Sequence, residues 1–572
     1  MPPSEEQLRC RDIILSQDYA DFIVAYGGNV DVTVGVYEPS CYEIVNSNFL
    51  IMHKPLPANR VTVYENYPYS IIPELLGNLD STSMEQSGIL PTHYAPAGGF
   101  RGNGVMVGLI DSGIDYTHPV FRFQNGGTRI LALWDQTIQT DEIMERFPYG
   151  TEYTRDVINQ ALASDDPYSS VPSTDEDGHG TFLAGIMAGS EDVSEDFIGA
   201  APEASIVAVK LKPAKEYLRD YYIIKEGAAA YQETDIFMAV EYVLQKALEY
   251  QMPAVICLGL GNTLNSHEGT SNLSQYLNAV NNVTGVCVVV AGGNELGKAH
   301  HYSGFIPSRD DSQTVELKVG ASERGFQMEL WGGSSDVFSV EIVSPEGERI
   351  ARSQSRLGQS QRVKLLFEDT EIYIADRSAG LPGGNFLSVI QFRNPTPGIW
   401  TIRVFGDRIL NGRFNIWLPM EKFIEETTYF LSPDPNITLT SAATTSSTVV
   451  TANYSHYNDS LYVTSSRGYT ASGFVKPDVA APGVNVFGPV PGGRYERRTG
   501  SSISAAHAAG AAALLFEWGL LNVIILNMDG NDIRRLLIQG AVQKQNEEYP
   551  NQGWGYGAMN LKNTFESLRV LR

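Results

Sequence analysis

The run Thr499-Gly500-Ser501-Ser502-Ile503-Ser504-Ala505-Ala506-His507-Ala508-Ala509-Gly510, continued by Ala511-Ala512-Ala513-Leu514-Leu515, reads as a loop turning into an apolar, alanine-rich helix. Gly500 offers backbone freedom just before Ser502, and the small residues beyond it allow close packing in a core. A serine there sits at a helix N-terminus, where the backbone dipole favours developing negative charge. That suits a nucleophile. It equally suits a serine that only caps a buried helix. The choice depends on whether the chain also supplies a base, an orienting acid and an oxyanion donor.

Working outward, continuous apolar runs at residues 105–110, 205–209, 254–258 and 286–290 have the character of parallel strands buried on both faces. A helical pattern at 234–250 lies between the second and third. Strands alternating with helices predict a doubly wound α/β domain, whose ligand sites lie beyond the carboxyl ends of its strands. Asp111 and Asn294 fall just past such ends. This style covers 83–304 and resumes over 432–572. Between them, 305–431 carries short strands separated by turns, at 315–319, 338–343, 363–367, 371–375, 386–390 and 400–404, and predicts an inserted all-β sandwich or jelly roll. Residues 1–82 read as a small α+β unit with strands at 22–26, 42–45, 49–52 and 61–64, poorly marked helices, and a polar linker at 77–83.

The 572-residue chain is long enough for several domains. Its net charge of −25 argues against nucleic acid and anionic membrane surfaces as partners. Cys10, Cys41, Cys257 and Cys287 form no Cys-x-x-Cys pair, and the last two sit in apolar runs, as in a chain kept in a reducing compartment. No basic segment followed by an apolar one opens the sequence, and no uninterrupted apolar run approaches the ~20 residues of a bilayer span. The expectation is an intracellular protein without signal peptide or membrane span. No cofactor or metal is expected. His300-His301 lacks further ligands at useful spacing, and Asp192, Glu195 and Asp196 read as a solvated acidic loop. His507, Trp134 and Trp554 read as core residues, and Asp115 and His118 as fixing the turn after Asp111.

Four pieces carry chemistry. Asp111 ends a buried strand, His179 opens an Ala/Gly-containing helix in Asp177-Gly178-His179-Gly180-Thr181, Asn294 ends Ala291-Gly292-Gly293-Asn294, and Ser502 has been described. Singly, each suits a structural role. Together they provide what acyl transfer needs: Ser502 to attack, His179 to accept and return its proton, Asp111 to hold the imidazole tautomer, and the Asn294 amide with the Ser502 N–H to receive the oxyanion.

Asp111-Ser112-Gly113, His179-Gly180-Thr181 and Gly500-Ser501-Ser502, in this order, resemble the motifs of subtilisin-family serine proteases. Residues 199–204, 476–483 and 553–557 add to the likeness. Departures are Ser501 in place of threonine, Ala506 in place of proline, Gly259-Leu260-Gly261 in place of Ser-Leu-Gly, and no counterpart of the family's calcium loop after the His179 helix. The resemblance implies a subtilisin-like α/β fold, a cleft lined by Gly259, Leu260, Gly261, Ala291, Gly292 and Gly293, and an N-terminal propeptide whose tail occupies that cleft and is cut near residues 77–86. The layout with an inserted jelly roll is similar to the clostridial Csp germination proteases. It implies a protein substrate, the zymogen of a spore cortex-lytic hydrolase, storage in the spore coat or cortex region, and related pseudoproteases as partners. Two other readings stay open: a propeptide-blocked sensor or binding protein, and a general intracellular serine protease.

Overall fold

The computed structural model describes residues 5–26, 30–57, 67–73, 75–78, 86–94, 99–141, 143–352, 360–378 and 384–570. Its central sheet has nine strands. Across it run Ser460–Leu461, Val449–Ser455, Val286–Ala291, Ala254–Leu258, Met106–Asp111, Ser205–Lys210, Ile130–Asp135 and Thr151–Thr154, with Val479–Pro482 also paired to Val449–Ser455. All pairings are parallel except those made by the two outermost strands. The four apolar runs of the sequence are therefore neighbouring parallel strands. Period-two alternation sends their side chains to two layers. Val107, Leu109, Ile206, Ala208, Val255 and Cys257 face the helices His179–Ala188 and Ser501–Phe516. Met106, Ile110, Val207, Val209, Ile256 and Leu258 face the helix Glu233–Tyr250.

The two helices on the first face pack closely because their contact residues are small. A Cβ added to Gly510 would lie 2.8 Å from the Met187 carbonyl of the facing helix and 2.2 Å from the Ala200 Cβ in the segment beyond it, so this position in the core admits only glycine. Ser501–Leu521 is long and apolar enough to cross a membrane, yet 83% of its most apolar 18-residue window is buried inside the protein. Gly500 adopts extended backbone, φ 162°, so the freedom read from its sequence is not what the turn uses. The loop after His179–Ala188 encloses the Arg129 guanidinium, which donates to the carbonyls of Val120, Ala188 and Ala204 and to Ser190 Oγ. Asp192 in that loop accepts from Ser194 and Tyr495.

Residues 301–430 form two antiparallel sheets. The first runs His301–Phe305, Arg413–Trp417, Gly325–Gly332, Phe386–Arg393, Glu371–Ser378, Ser360–Lys364; the second runs Arg349–Ile350, Val337–Val343, Gly398–Arg408, Ser312–Val319, Tyr429–Phe430. Phe326, Met328, Phe338, Ile374, Phe392 and Trp400 belong to the shared core between them. The strand expected at 363–367 instead ends at Lys364, and Leu366 and Phe367 stand exposed in the turn beyond. The outer face of the six-stranded sheet, through Trp331, Leu387, Val389 and Trp417, joins the core of the α/β unit.

This sandwich grips the segment that follows Leu260-Gly261. Thr263 Oγ1 donates to the Leu418 carbonyl at 2.8 Å, and the Asn265 N–H donates to Glu329 Oε2 at 3.0 Å. Trp417 is stacked between His267, centroids 4.2 Å apart, and His301, 4.9 Å apart, while its indole N–H donates to the Ile437 carbonyl. Trp417→Ala removes this filling and is expected to lower stability by about 3–5 kcal/mol, read as a fall in denaturant midpoint. An unchanged midpoint would mean that the sandwich is docked by other contacts.

The N-terminal unit is a three-stranded antiparallel sheet of Tyr19–Ala25, Phe49–Pro55 and Cys41–Ile44, with helices Glu5–Leu15 and Val30–Tyr37. The strand expected at 61–64 lies outside the described residues. Cys10 and Cys41, read from the sequence as thiols, are joined as a disulfide with Cα atoms 5.5 Å apart. Cys257 and Cys287 are free and buried. The first two residues of the expected linker, Gly77 and Asn78, belong instead to a strand, Leu75–Asn78; residues 79–83 lie outside the described residues.

Candidate active site

The sheet's chain order reverses between Met106–Asp111 and Ala254–Leu258, and a doubly wound sheet opens a crevice at such a point. Asp111 and Gly259 stand at its two sides. The turn after Asp111 needs glycine at 113, where φ is +136° and the Gly113 carbonyl lies 2.1 Å from where a Cβ on Gly180 would stand. That contact brings the first turn of His179–Ala188 directly over the end of the Asp111 strand. His179 is the first residue of its helix and Ser502 the second of Ser501–Phe516.

The three side chains meet in one line. His179 Nδ1 lies 2.8 Å from Asp111 Oδ1, and His179 Nε2 lies 3.1 Å from Ser502 Oγ. Asp111 Oδ1 also accepts the Ser112 N–H at 2.7 Å. A carboxylate can only accept, so Nδ1 carries the imidazole proton and Nε2 is left to accept from the Ser502 hydroxyl. All three residues are buried, Asp111 and Ser502 completely. Asn294 is brought beside them by the serine helix: the Ser501 N–H donates to Asn294 Oδ1 at 3.0 Å, leaving the NH2 end of that amide for a ligand. Ser501 Oγ in turn accepts the Gly293 N–H at 3.1 Å. The hydroxyl that replaces the family's threonine is thus engaged with the chain next to Asn294.

The expected cleft residues divide into two walls. Leu260 and Gly261 form a short strand paired antiparallel with Leu75–Asn78, Leu260 opposite Asn78 and Gly261 opposite Gly77. On its other edge, Leu75–Asn78 pairs with Tyr231–Gln232. A strand of the N-terminal unit therefore lies between two strands of the α/β unit. Gly259 comes close to the reactive pair, since a Cβ there would be 3.1 Å from the Ser502 Cβ and 3.4 Å from His179 Cε1. The opposite wall is Ala291, Gly292 and Gly293. Its backbone is held from behind by Thr440, whose N–H donates to the Gly292 carbonyl and whose hydroxyl donates to the Ala291 carbonyl, and by the Ser466 N–H on the Gly293 carbonyl. Sequence reading missed Tyr231–Gln232, Thr440 and Ser466. No motif marks them, and each is distant in sequence from the residues it serves.

The remaining polar residues singled out from the sequence have structural partners. His507 is fully buried with Nδ1 facing the Ile503 carbonyl at 2.8 Å, and burial lowers its pKa to about 3. His300 faces Glu295 Oε2 at 2.9 Å. Asp115 accepts from Thr117, Tyr168 and the Gly492 N–H, and His118 Nε2 lies 3.2 Å from the Arg494 carbonyl. Trp134 and Trp554 are buried core aromatics.

A doubly wound sheet that gathers Asp, His and Ser in this chain order at its switch point defines a class, the subtilisin-like serine peptidases. The model of the Subtilase family matches residues 102–557, and the chain belongs to that family. Among solved structures it is similar to the CspB protease of Clostridium perfringens, with a TM-score of 0.76 and 29% identity over 85% of this chain and 99% of that one. Among curated proteins it is 22% identical to the PI-type proteinase of Lactococcus lactis subsp. cremoris over 458 residues, 73% of this chain and 22% of that one. It is 21% identical to the minor extracellular protease Vpr of Bacillus subtilis (strain 168) over 496 residues, 82% of this chain and 52% of that one. The chain thus spans between about a fifth and about half of these curated relatives.

Proposed function

We propose that the chain is a serine endopeptidase that cuts off its own N-terminal unit and then performs limited proteolysis of a protein substrate, the zymogen of a spore cortex-lytic hydrolase. The observation that carries this is the Asp111–His179–Ser502 line beside a strand of the N-terminal unit already held in the cleft in substrate fashion. In this reading Ser502 Oγ attacks the scissile carbonyl carbon while His179 Nε2 takes its proton. Asp111 keeps the imidazole oriented and stabilises the imidazolium. The Asn294 amide and the Ser502 N–H receive the oxyanion. The intermediate then collapses, the peptide C–N bond breaks, His179 protonates the leaving amine, and water releases the acyl group by the same steps. The likeness to CspB over nearly that protein's whole length supports the germination role, with storage inside the cell or spore and related pseudoproteases as partners.

The purified chain is expected to migrate as two fragments of about 8–10 and 53 kDa on a denaturing gel, and to shorten the pro-form of a cortex-lytic hydrolase. A chain recovered whole would overturn the protease reading. Self-cleavage without processing of the pro-form would overturn only the germination role. Asn294→Ala is expected to lower turnover about 10²–10³-fold. An undiminished rate would remove Asn294 from the oxyanion site. A second reading, a subtilase body used as a sensor, is supported by the same occupied cleft. Permanent retention of the N-terminal fragment without turnover of any substrate would favour it.

A further inference from the structure

Asp175 lies four residues before His179, in the loop that leads into the histidine helix, and is 4% exposed. Its carboxylate accepts four hydrogen bonds. Oδ1 receives the Ser112 hydroxyl at 2.8 Å and the Gly178 N–H at 3.0 Å; Oδ2 receives the Thr181 N–H at 2.8 Å and the Thr181 hydroxyl at 2.7 Å. Gly178, at the N-cap position, has no side chain to cap the helix, so Asp175 supplies the cap from outside.

The same carboxylate reaches the acid's strand. Ser112 follows Asp111, its N–H holds Asp111 Oδ1, and its hydroxyl oxygen accepts the Gly180 N–H at 3.1 Å while donating to Asp175. Thr181 Oγ1 likewise accepts the Asp115 N–H at 2.8 Å. The turn that carries Asp111 and the helix that carries His179 therefore meet on one buried anion. We propose that Asp175 is a positioning residue for the catalytic line, fixing Asp111 and His179 relative to each other through Ser112 and Thr181. This rests on the reading of His179 and Ser502 as a catalytic pair.

Burial and the Asp111 charge raise the Asp175 carboxyl and the bonds from Thr181 and Ser112 oppose that rise, while the two N–H and two O–H donors that converge on its oxygens suit an anion close to His179. Asp111, Asp115, Glu176 and Asp177 are the other acids of this region. Lys210, a cation on the adjoining strand, donates to the Thr174 carbonyl and pairs with Glu176, and Arg498 comes close to Gly178. Removing a negative charge makes the imidazolium less favourable, so the acid limb of the activity profile moves to lower pH.

The test is the first-order rate of self-cleavage of the full chain as a function of pH, with the denaturant midpoint of each chain measured alongside. Asp175→Asn is expected to slow cleavage about 10–100-fold and to move the acid limb down by roughly half a unit. Ser112→Ala cuts the link but keeps the charge, and is expected to slow cleavage about tenfold with the limb unmoved. Both variants cutting at the wild-type rate would overturn the proposal, as would losses that track a fall in midpoint with no shift of the limb in Asp175→Asn. Should Asp175→Asn fail to fold, Ser112→Ala decides: a slowed rate at the wild-type midpoint supports the proposal and a wild-type rate overturns it. Wild-type and Ser502→Ala chains run in parallel test the catalytic pair independently of Asp175.

Discussion

Self-cleavage is expected to slow about 10⁴-fold in Asp111→Asn and about 10⁶-fold in either His179→Ala or Ser502→Ala. A serine hydroxyl is a poor nucleophile until a base removes its proton, and in the proposed mechanism that base is His179 Nε2, 3.1 Å from Ser502 Oγ. Deleting either member ends that transfer, so the two single losses are of the same size and the double variant is no slower than either. Asp111 does not touch the reacting bond. It holds the proton on His179 Nδ1 across 2.8 Å, and an asparagine offers that nitrogen an amide donor instead. The imidazole then favours the tautomer protonated on Nε2, which cannot accept from Ser502, and activity falls without loss of structure. Fragment appearance followed from minutes to weeks reads the Asp111→Asn rate and sets a lower limit on the two larger losses. Processing that persists in Ser502→Ala would show that the cut is made elsewhere; a wild-type rate in Asp111→Asn would remove the aspartate from the mechanism.

Lys215→Met is expected to weaken the hold of the N-terminal unit on the α/β unit by about 3–5 kcal/mol, because it takes from a buried carboxylate one of the two cationic groups that face it. Asp21, on the first strand of that unit, is fully buried. It accepts Lys215 Nζ at 2.8 Å, Gln232 Nε2 at 2.7 Å and His53 Nδ1 at 2.7 Å, and His53 Nε2 reaches Glu43 Oε2 at 3.2 Å. Lys215 and Gln232 come from the α/β unit, and Gln232 also pairs through its backbone with the strand in the cleft. One anion thus ties the docking of the globule to the edge that holds its tail. The denaturant midpoint of the whole chain reads the loss, cut or uncut. Replacing both partners, as in Asp21→Asn with Lys215→Met, should recover much of it. A single variant as stable as wild type would mean that this cluster contributes nothing to docking.

The same cluster makes stability depend on pH. Burial alone would raise the Asp21 carboxyl, but Lys215 and His53 outweigh it and hold it well below the usual range. Its contribution is present above about pH 4 and is lost as pH falls through the lowered value. Burial alone would lower His53, but Asp21 and Glu43 outweigh it and raise its pKa above 6.5. Its contribution is complete below about pH 6.5 and is lost as pH rises through the raised value. The part of the stability that Asp21 and His53 carry is therefore greatest between about pH 4 and 6.5 and declines as pH rises through the raised His53 value, whereas Lys215, lowered mainly by burial, adds a part that grows toward alkaline pH. His53→Gln should flatten the alkaline decline.

Much of the architecture was legible because it is written in contiguous residues. The strands Met106–Asp111, Ser205–Lys210, Ala254–Leu258 and Val286–Ala291 are apolar throughout, as strands covered on both faces must be, and the helix Glu233–Tyr250 shows its own period. Other elements answer to distant partners. Val30–Tyr37, Val-Asp-Val-Thr-Val-Gly-Val-Tyr, is rich in β-branched residues and yet helical, and Tyr231–Gln232 becomes a strand only because Leu75–Asn78 lies against it. Cys10 and Cys41, 31 residues apart, gave no spacing signal, and their pairing depends on a helix crossing the sheet edge.

From the sequence alone, the order Asp111, His179, Asn294, Ser502 and the small residues around each determined which side chains could form the site, since a nucleophile at a glycine-flanked helix start and an acid at a buried strand end are local properties. Only the tertiary structure decided that they meet, at 2.8 and 3.1 Å, because these distances depend on two helices approaching over glycine and alanine contacts. It also decided what backs them. Asp175, Thr440, Ser466, Asp21 and Lys215 carry no motif, and a buried polar group takes its meaning from partners that the chain brings from far away.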